Sequence, residues 1–433
     1  RLSVLKLDHL LIPLRPPSPT PPPKPPPIDR SLPSPKMGRK VDKCLRKFGC
    51  PLYGAGWISG DVIVVCGGGG KKGSGIKNRL VAARFSGQEL SDEIAHLETG
   101  DACPLRLVVH PSMKTIVVAM ENGGLLAVDA AVEGGEVKLT KGAELPSAAT
   151  SLGEQKSLAF NSDGTRLVCG GADGSLALFS WPDMKLQPQI PRPIENRVHE
   201  KAHEDAVTSC EFSKDGSMLA TVGSEGACKI WDVMRGKTFH KLDVPGGGRG
   251  VFRGCCFTQG PLTTPPKGLV TAIIKKGEGY VAKFSLVGDK FVAGKMKLVS
   301  KEPITAFAVS PCRDMAAIGN SEGEVKVLWT NSLATQQRAT PHMIFVTGAV
   351  FGPVPPPGGK VASPLLTISG DAGARCTAVA LKFKTNLQLY ILILLLWLLF
   401  FFSPFAEGPR SEAVRSVVKG AQQIVQGSDK GEL

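Results

Sequence analysis

Read as a string of apolar and polar positions, the chain changes character twice. Residues 1–36 show no periodicity and hold twelve of the 34 prolines, among them Pro21, Pro22, Pro23, Pro25, Pro26 and Pro27. Proline fixes φ and removes an amide donor, so such a stretch favours extended, solvated backbone over a packed core. Residues 387–406, LQLYILILLLWLLFFFSPFA, are the opposite extreme, with no charged side chain in the whole run. As a helix rising about 1.5 Å per residue they reach roughly 30 Å, a bilayer's hydrocarbon thickness, and they present no polar stripe to water. Between these two extremes, short apolar strands recur, each followed by a turn ending in glycine and then by a second apolar strand.

The turn glycines are Gly75, Gly123, Gly174, Gly226, Gly279, Gly323 and Gly373, 44 to 53 residues apart. The strands after them are LVAARF, LLAVD, LALFSW, CKIWDV, YVAKFS, VKVLWT and CTAVALKF. A fixed period of about fifty residues marks a repeat architecture. Seven β-rich units, each near the length of a four-stranded blade, close most simply into a propeller whose strand edges are short and protected. The expected fold is an all-β, seven-bladed propeller with one C-terminal transmembrane helix. Its expected divisions are a basic, proline-rich leader (1–48), the propeller (49–385), the membrane segment (386–406) and a short tail (407–433).

Composition sharpens this outline. Fifty glycines against 18 Phe, 5 Trp and 3 Tyr suit many tight turns and exclude a long helical protein. The net charge of +14 suggests nucleic acid until it is located: residues 1–48 alone contribute +8, through eleven Lys/Arg and three Asp/Glu. The remaining chain has no basic and aromatic interleaving of the kind that stacks bases, so no nucleic-acid partner is expected. The eleven Cys are odd in number and lack any C-x-x-C pair, which suits free thiols in a reducing compartment. No secretory signal is evident near Arg1, and Met37 is the first methionine, so residues 1–36 read as upstream sequence or as a proline-rich ligand. These features orient the propeller toward the cytosol and the tail toward a lumen. The last four residues, Lys430, Gly431, Glu432 and Leu433, approach a lumenal retrieval signal.

Several chemical motifs can be weighed. His199, Glu200 and His203 satisfy H-E-x-x-H, but the zinc-protease reading needs both His on one helix face. Pro191 and Pro193 lie just upstream, so no zinc is expected. His9, His96, His110, His240 and His342 are scattered and read as core or surface residues. The units LAFNSDGTRLVCGGADGSLALFSW from Leu158 and CEFSKDGSMLATVGSEGACKIWDV from Cys210 resemble WD repeats. That resemblance implies a hydrogen-bonded structural set of His203, Thr221 and Trp231, with Glu225 where Asp is usual.

The most distinctive segment starts at Val62, VIVVCGGGGKKGSGIKNRLVAARF. Gly68, Gly70 and Gly73 match G-x-G-x-x-G, but a strand follows where a dinucleotide site needs a helix, and no Gly-Lys-Ser/Thr completes a P-loop. No nucleotide is therefore expected on this chain itself. In the repeat register, residues 67–78 are an enlarged version of a turn that is short in the other units. Closely spaced glycines expose backbone groups and permit φ > 0, so this loop could wrap an ion or approach another protein. The exposed Ile76 would serve as an anchor there.

Three features now carry a specific resemblance: PLYGAGWI from Pro51, the GGGG…SGIKN loop, and one apolar segment after the last unit. Over residues 49–406 the chain resembles the Sec-twelve and prolactin regulatory element-binding protein family. These are endoplasmic-reticulum-anchored propellers that exchange nucleotide on the Sar-type small GTPase and so start COPII coat assembly. The resemblance implies that Gly67, Gly68, Gly69, Gly70, Gly73, Ser74, Gly75, Ile76 and Asn78 engage the GTPase. It also implies a potassium ion held mostly by loop backbone, with Asn78 and then Ser74 as side-chain ligands; Ser74 stands where Thr is commoner. The implied activity is exchange without covalent chemistry, and the alternative is a non-catalytic trafficking scaffold. The implied location is the endoplasmic reticulum membrane, with a single span, and the COPII machinery as an indirect partner.

Overall fold

The computed structural model describes residues 42–70, 74–188, 190–191, 201–258, 268–353 and 363–379. These form seven antiparallel sheets, six of four strands and one of three. Each blade takes consecutive strands in simple up-and-down order, except the last. Its inner three strands, Val346–Phe351, Leu365–Ser369 and Gly373–Thr377, are completed by Leu45–Lys47 from the other end of the propeller. The strand belongs to residues assigned from sequence to the leader, so the propeller starts before Gly49. Three residues are too few to carry an alternation. Closure of the ring supplies the partner, through the register Leu45↔Arg375 and Lys47↔Gly373.

The sequence of the second strand in each blade follows from its position. Val62–Gly67 reads VIVVCG and is buried throughout, because neighbouring blades cover both faces of the sheet. Ile63 and Val65 pack with Leu366 and Ile368 of the last blade, while Val62, Val64 and Cys66 pack with Ile116 and Val118 of the next. Continuous apolar runs therefore replace strict alternation at these positions. Outer strands such as Glu136–Lys141 alternate with solvent. Every first-to-second strand pair carries a bulge near the start of its inner strand, for example at Leu52/Gly54, Pro104/Arg106 and Val207/Ser209. The recurring bulge bends each inner strand at the same level.

Five of the seven marker glycines occupy the expected turn with positive φ: Gly75, Gly123, Gly174, Gly226 and Gly323. The other two are displaced. In the fifth blade the turn is Lys276 and Gly277, both with positive φ, and Gly279 pairs with Ile274 inside the strand. In the seventh, Ala372 takes the positive φ and Gly373 begins a strand. Close packing explains Gly279: a Cβ there would lie 2.6 Å from Ile304 Cγ1. The third blade has three strands among the described residues, with a single bridge, Phe179↔Leu186, beyond its edge.

Strand register fixes two faces. Gly67 pairs with Leu52 and Arg79, so the enlarged turn lies at the end where Lys47 meets Gly373. The chain enters at Leu45 and leaves after Thr377 at the opposite end. The glycine loop therefore lies on the face opposite the one where the described strands begin at Leu45 and end at Thr377. No helix among the described residues is long and apolar enough to cross a membrane. The apolar run, the tail and residues 1–41 lie outside the described residues.

Candidate functional site

The connection between Val62–Gly67 and Asn78–Arg84 spans ten residues, whereas the equivalent turns of the other blades span two to four. Within it, Lys71, Lys72 and Gly73 lie outside the described residues. The four consecutive glycines answer to distinct constraints. A Cβ at Gly67 would sit 1.9 Å from the Pro51 carbonyl oxygen, one at Gly68 2.1 Å from Asn78 Oδ1, and one at Gly69 2.4 Å from Ser74 Oγ. Gly70 instead needs its positive φ of 73°. At Gly67, Gly68 and Gly69 the loop runs too close to its surroundings for a side chain.

Asn78 holds it there. The Gly70 N–H donates to Asn78 Oδ1 at 3.1 Å, and Asn78 Nδ2 donates to the carbonyls of Gly70 at 2.9 Å and Gly100 at 3.1 Å. Asn78 is only 6% exposed, although its partners Gly70 and Gly100 reach the surface. Gly68 N–H donates to Pro51 O at 3.1 Å and ties the loop to the first blade's inner strand. Ser74 makes a small local turn, with the Ile76 N–H donating to its Oγ at 3.3 Å. Gly75 faces open space with a φ of 73°, and Ile76 is 40% exposed. At the loop's exit, Lys77 Nζ and Glu98 Oε1 lie 2.5 Å apart, and this hydrogen bond lowers the Glu98 pKa. Burial pushes the neighbouring Cys103 thiol up to about 11, and the Gly70 backbone offsets part of that rise. The structure thus brings Gly67, Gly68, Gly69, Gly70, Ser74, Gly75, Ile76 and Asn78 into one loop; Gly73 falls outside the described residues.

The loop's oxygen donors are compatible with a monovalent cation. Asn78 Oδ1 and the Gly70 carbonyl each keep a lone pair beyond the bond already made, and the Glu121 carboxylate flanks Gly70. No group of three His, Cys, Asp or Glu side chains converges as a metal site among the described residues.

In the fourth blade, His203 Nδ1 lies 2.5 Å from Glu225 Oε1 and Nε2 lies 2.7 Å from Thr221 Oγ1, while Trp231 Nε1–H donates to the same Oγ1 at 2.8 Å. His203 is 1% exposed, and burial lowers its pKa despite Glu225. This network commits His203 to structure; His199 and Glu200 lie outside the described residues. A second set went unread in the sequence. His342 Nε2 lies 2.9 Å from Thr367 Oγ1, and Nδ1 faces Asp371 Oδ1 at 3.8 Å. The signal was the four-residue step from Thr to the acid, shared by Thr221/Glu225 and Thr367/Asp371. The His-to-Thr interval hid it, because it is 18 residues in the fourth blade and 25 in the seventh.

His342 gives a pH prediction. Burial lowers its pKa from 6.5 to about 4; Asp371 opposes the shift, while Lys47 and Arg375 reinforce it. The unfolded chain therefore takes up the proton first, so stability is full above pH 6.5 and is lost as the pH falls toward 4. The loss is expected to reach about 3 kcal/mol. Denaturant melts of wild type and His342→Asn at pH 7, 5.5 and 4.5 should converge as the pH falls. Parallel curves would refute the assignment.

With this geometry in place, the chain can be set beside known proteins. The WD domain, G-beta repeat family matches residues 152–180 and 196–232, the third and fourth blades. The SEC12-like protein 2 of Arabidopsis thaliana is 26% identical over 314 residues, covering 71% of this chain and 74% of that protein. The SEC12-like protein 1 of the same plant is 26% identical over 231 residues, 53% of each chain. The chain is similar to SEC12-like WD-repeat proteins over most of its length. Mouse WD repeat-containing protein 18 matches only 83 residues, 18% of the chain, at 30% identity. The SEC12-like match thus covers far more than a shared repeat pair.

Proposed function

We propose that this protein is a guanine-nucleotide exchange factor for a Sar-type small GTPase at the endoplasmic reticulum membrane, where it starts COPII coat assembly. The observation that carries the reading is the glycine loop. One inter-strand turn of seven is enlarged, leaves no room for side chains at Gly67, Gly68 and Gly69, and is clamped by a buried asparagine. A passive insertion needs none of these features. The two SEC12-like relatives support the same reading.

The mechanism follows from differential binding. An exchange factor accelerates GDP release by binding the nucleotide-free GTPase more tightly than the loaded form. A loop held in one conformation before contact loses little entropy on binding, which strengthens that preference. Ile76 offers an apolar anchor worth on the order of 1–2 kcal/mol, and the glycine backbone allows close approach to the partner. The chain supplies position rather than covalent chemistry. A potassium ion held by Asn78 Oδ1 and loop carbonyls would stiffen the same conformation. Among the described residues, the propeller is entered at Leu45 and left after Thr377 on the face opposite the loop, which suits a cytosolic partner reaching the loop.

The test is release of a fluorescent GDP analogue from a Sar-type GTPase, with and without the purified full chain. Acceleration is expected, whereas a non-catalytic trafficking scaffold would leave the release rate unchanged. The rate should also fall when potassium is replaced by a bulky organic cation at matched ionic strength. Equal rates in the two salts would remove the ion from the mechanism while leaving the exchange activity intact.

A further inference from the structure

Ten large hydrophobic side chains are exposed among the described residues, and three of them are consecutive: Met343 at 84%, Ile344 at 40% and Phe345 at 46%. They sit in the connection that leads from Thr335–Ala339 into Val346–Phe351, on the same face as the glycine loop. Exposed apolar groups in sequence cost solubility and usually mark a contact surface.

This segment is pinned at both ends. The Met343 N–H donates to Asp371 Oδ2 at 2.9 Å, and Asp371 is itself held by Lys47 at 3.0 Å and by the Gly373 N–H at 2.8 Å. Ser369 Oγ donates to the Phe345 carbonyl at 2.9 Å, and Thr305 Oγ1 donates to the Val346 carbonyl at 2.7 Å. Buried His342 precedes it. Ile344 and Phe345 lean over Gly370, where an added Cβ would lie 3.3 Å from Ile344 Cδ1 and 3.4 Å from Phe345 Cζ. Met343 is thereby left pointing outward on a fixed backbone. Rigid presentation distinguishes an anchor from a frayed loop, because little entropy remains to be lost on binding.

The segment is also joined to the glycine loop. Thr347 Oγ1 donates to the Leu52 carbonyl at 2.6 Å, and the adjacent Pro51 carbonyl accepts the Gly68 N–H at 3.1 Å. The Met343–Phe345 segment and the loop thus belong to neighbouring blades that are hydrogen-bonded to each other through the first blade's inner strand.

We propose that Met343, with Ile344 and Phe345, forms a second apolar anchor for the GTPase that binds the glycine loop, opposite an apolar patch on that partner. This inference rests on the exchange-factor reading. Two anchors on one face, one in the loop and one in the neighbouring blade, would fix the partner's orientation as well as its affinity, which a single Ile76 contact cannot do.

The test compares the full chain with its Met343→Asp and Ile76→Ala variants. Three quantities are read: the dissociation constant for nucleotide-free Sar-type GTPase, the GDP release rate and the melting temperature. Met343→Asp should weaken binding at least tenfold and slow release below saturation, with an unchanged melting temperature, because the side chain packs against little. If Ile76→Ala slows exchange while Met343→Asp matches wild type, the second anchor is refuted and the exchange reading stands. If Met343→Asp instead breaks up a self-associated form, seen by light scattering, with exchange untouched, the segment serves a second copy and the proposal falls. If wild type neither binds the GTPase nor releases its GDP, the exchange reading fails and takes this inference with it.

Discussion

Replacing Asn78 with Ala should slow nucleotide exchange at least tenfold while leaving the propeller folded. The substitution removes three hydrogen bonds at once, two to Gly70 and one to Gly100, all made by a buried side chain. Without those bonds the loop is no longer held, so the variant exchanges a fixed loop for an ensemble. A tenfold loss corresponds to about 1.4 kcal/mol, within reach of a single clamp. Asn78→Asp keeps the acceptor for the Gly70 N–H but loses both donors, and its rate should lie between the two. Potassium dependence should be weaker in the Ala variant than in wild type. The measurements are GDP-release rates in both salts with a thermal melt as control. Unchanged exchange in a folded Asn78→Ala protein would show that the loop's conformation is not what drives release.

The second large effect concerns stability. Thr221→Val preserves shape but deletes the oxygen that Trp231 Nε1 and His203 Nε2 share. Both groups are buried, so each is left without a partner and without water. At about 1–3 kcal/mol per unsatisfied group, the expected destabilisation is on the order of 2–5 kcal/mol. Glu225→Gln should cost less, because an amide oxygen can still accept from the imidazole across the 2.5 Å contact. Denaturant titration of the two variants checks the order. A Thr221→Val cost below about 0.5 kcal/mol would mean that the set does not brace the blade.

What could be read from the chain alone was local in origin. Central strands such as VIVVCG announce themselves because two covering blades make every position apolar, and that requirement repeats about every fifty residues. The number of blades and the place of the enlarged turn follow from that period, while the His203 set was implied by the resemblance to WD repeats. The errors were also local: Gly279 and Gly373 are small for packing reasons rather than for a turn, and composition cannot separate those two demands.

Tertiary structure decided everything that joins distant parts of the ring. Leu45–Lys47 reads as the end of a basic leader until Gly373–Thr377 gives it a sheet, and Lys47 Nζ then donates to the Asp371 carbonyl across 324 positions. Thr347 reaches Leu52 across 295. His342 looked scattered because 25 positions separate it from its Thr partner, against 18 in the fourth blade, and Met343 gains its exposed place only once its connection is set on the face of the glycine loop. Periodicity reports which side of a strand is covered by its neighbours, and that much is written locally. Which residues meet where the ring closes depends on the sum of seven blade rotations, so only the assembled propeller determines it.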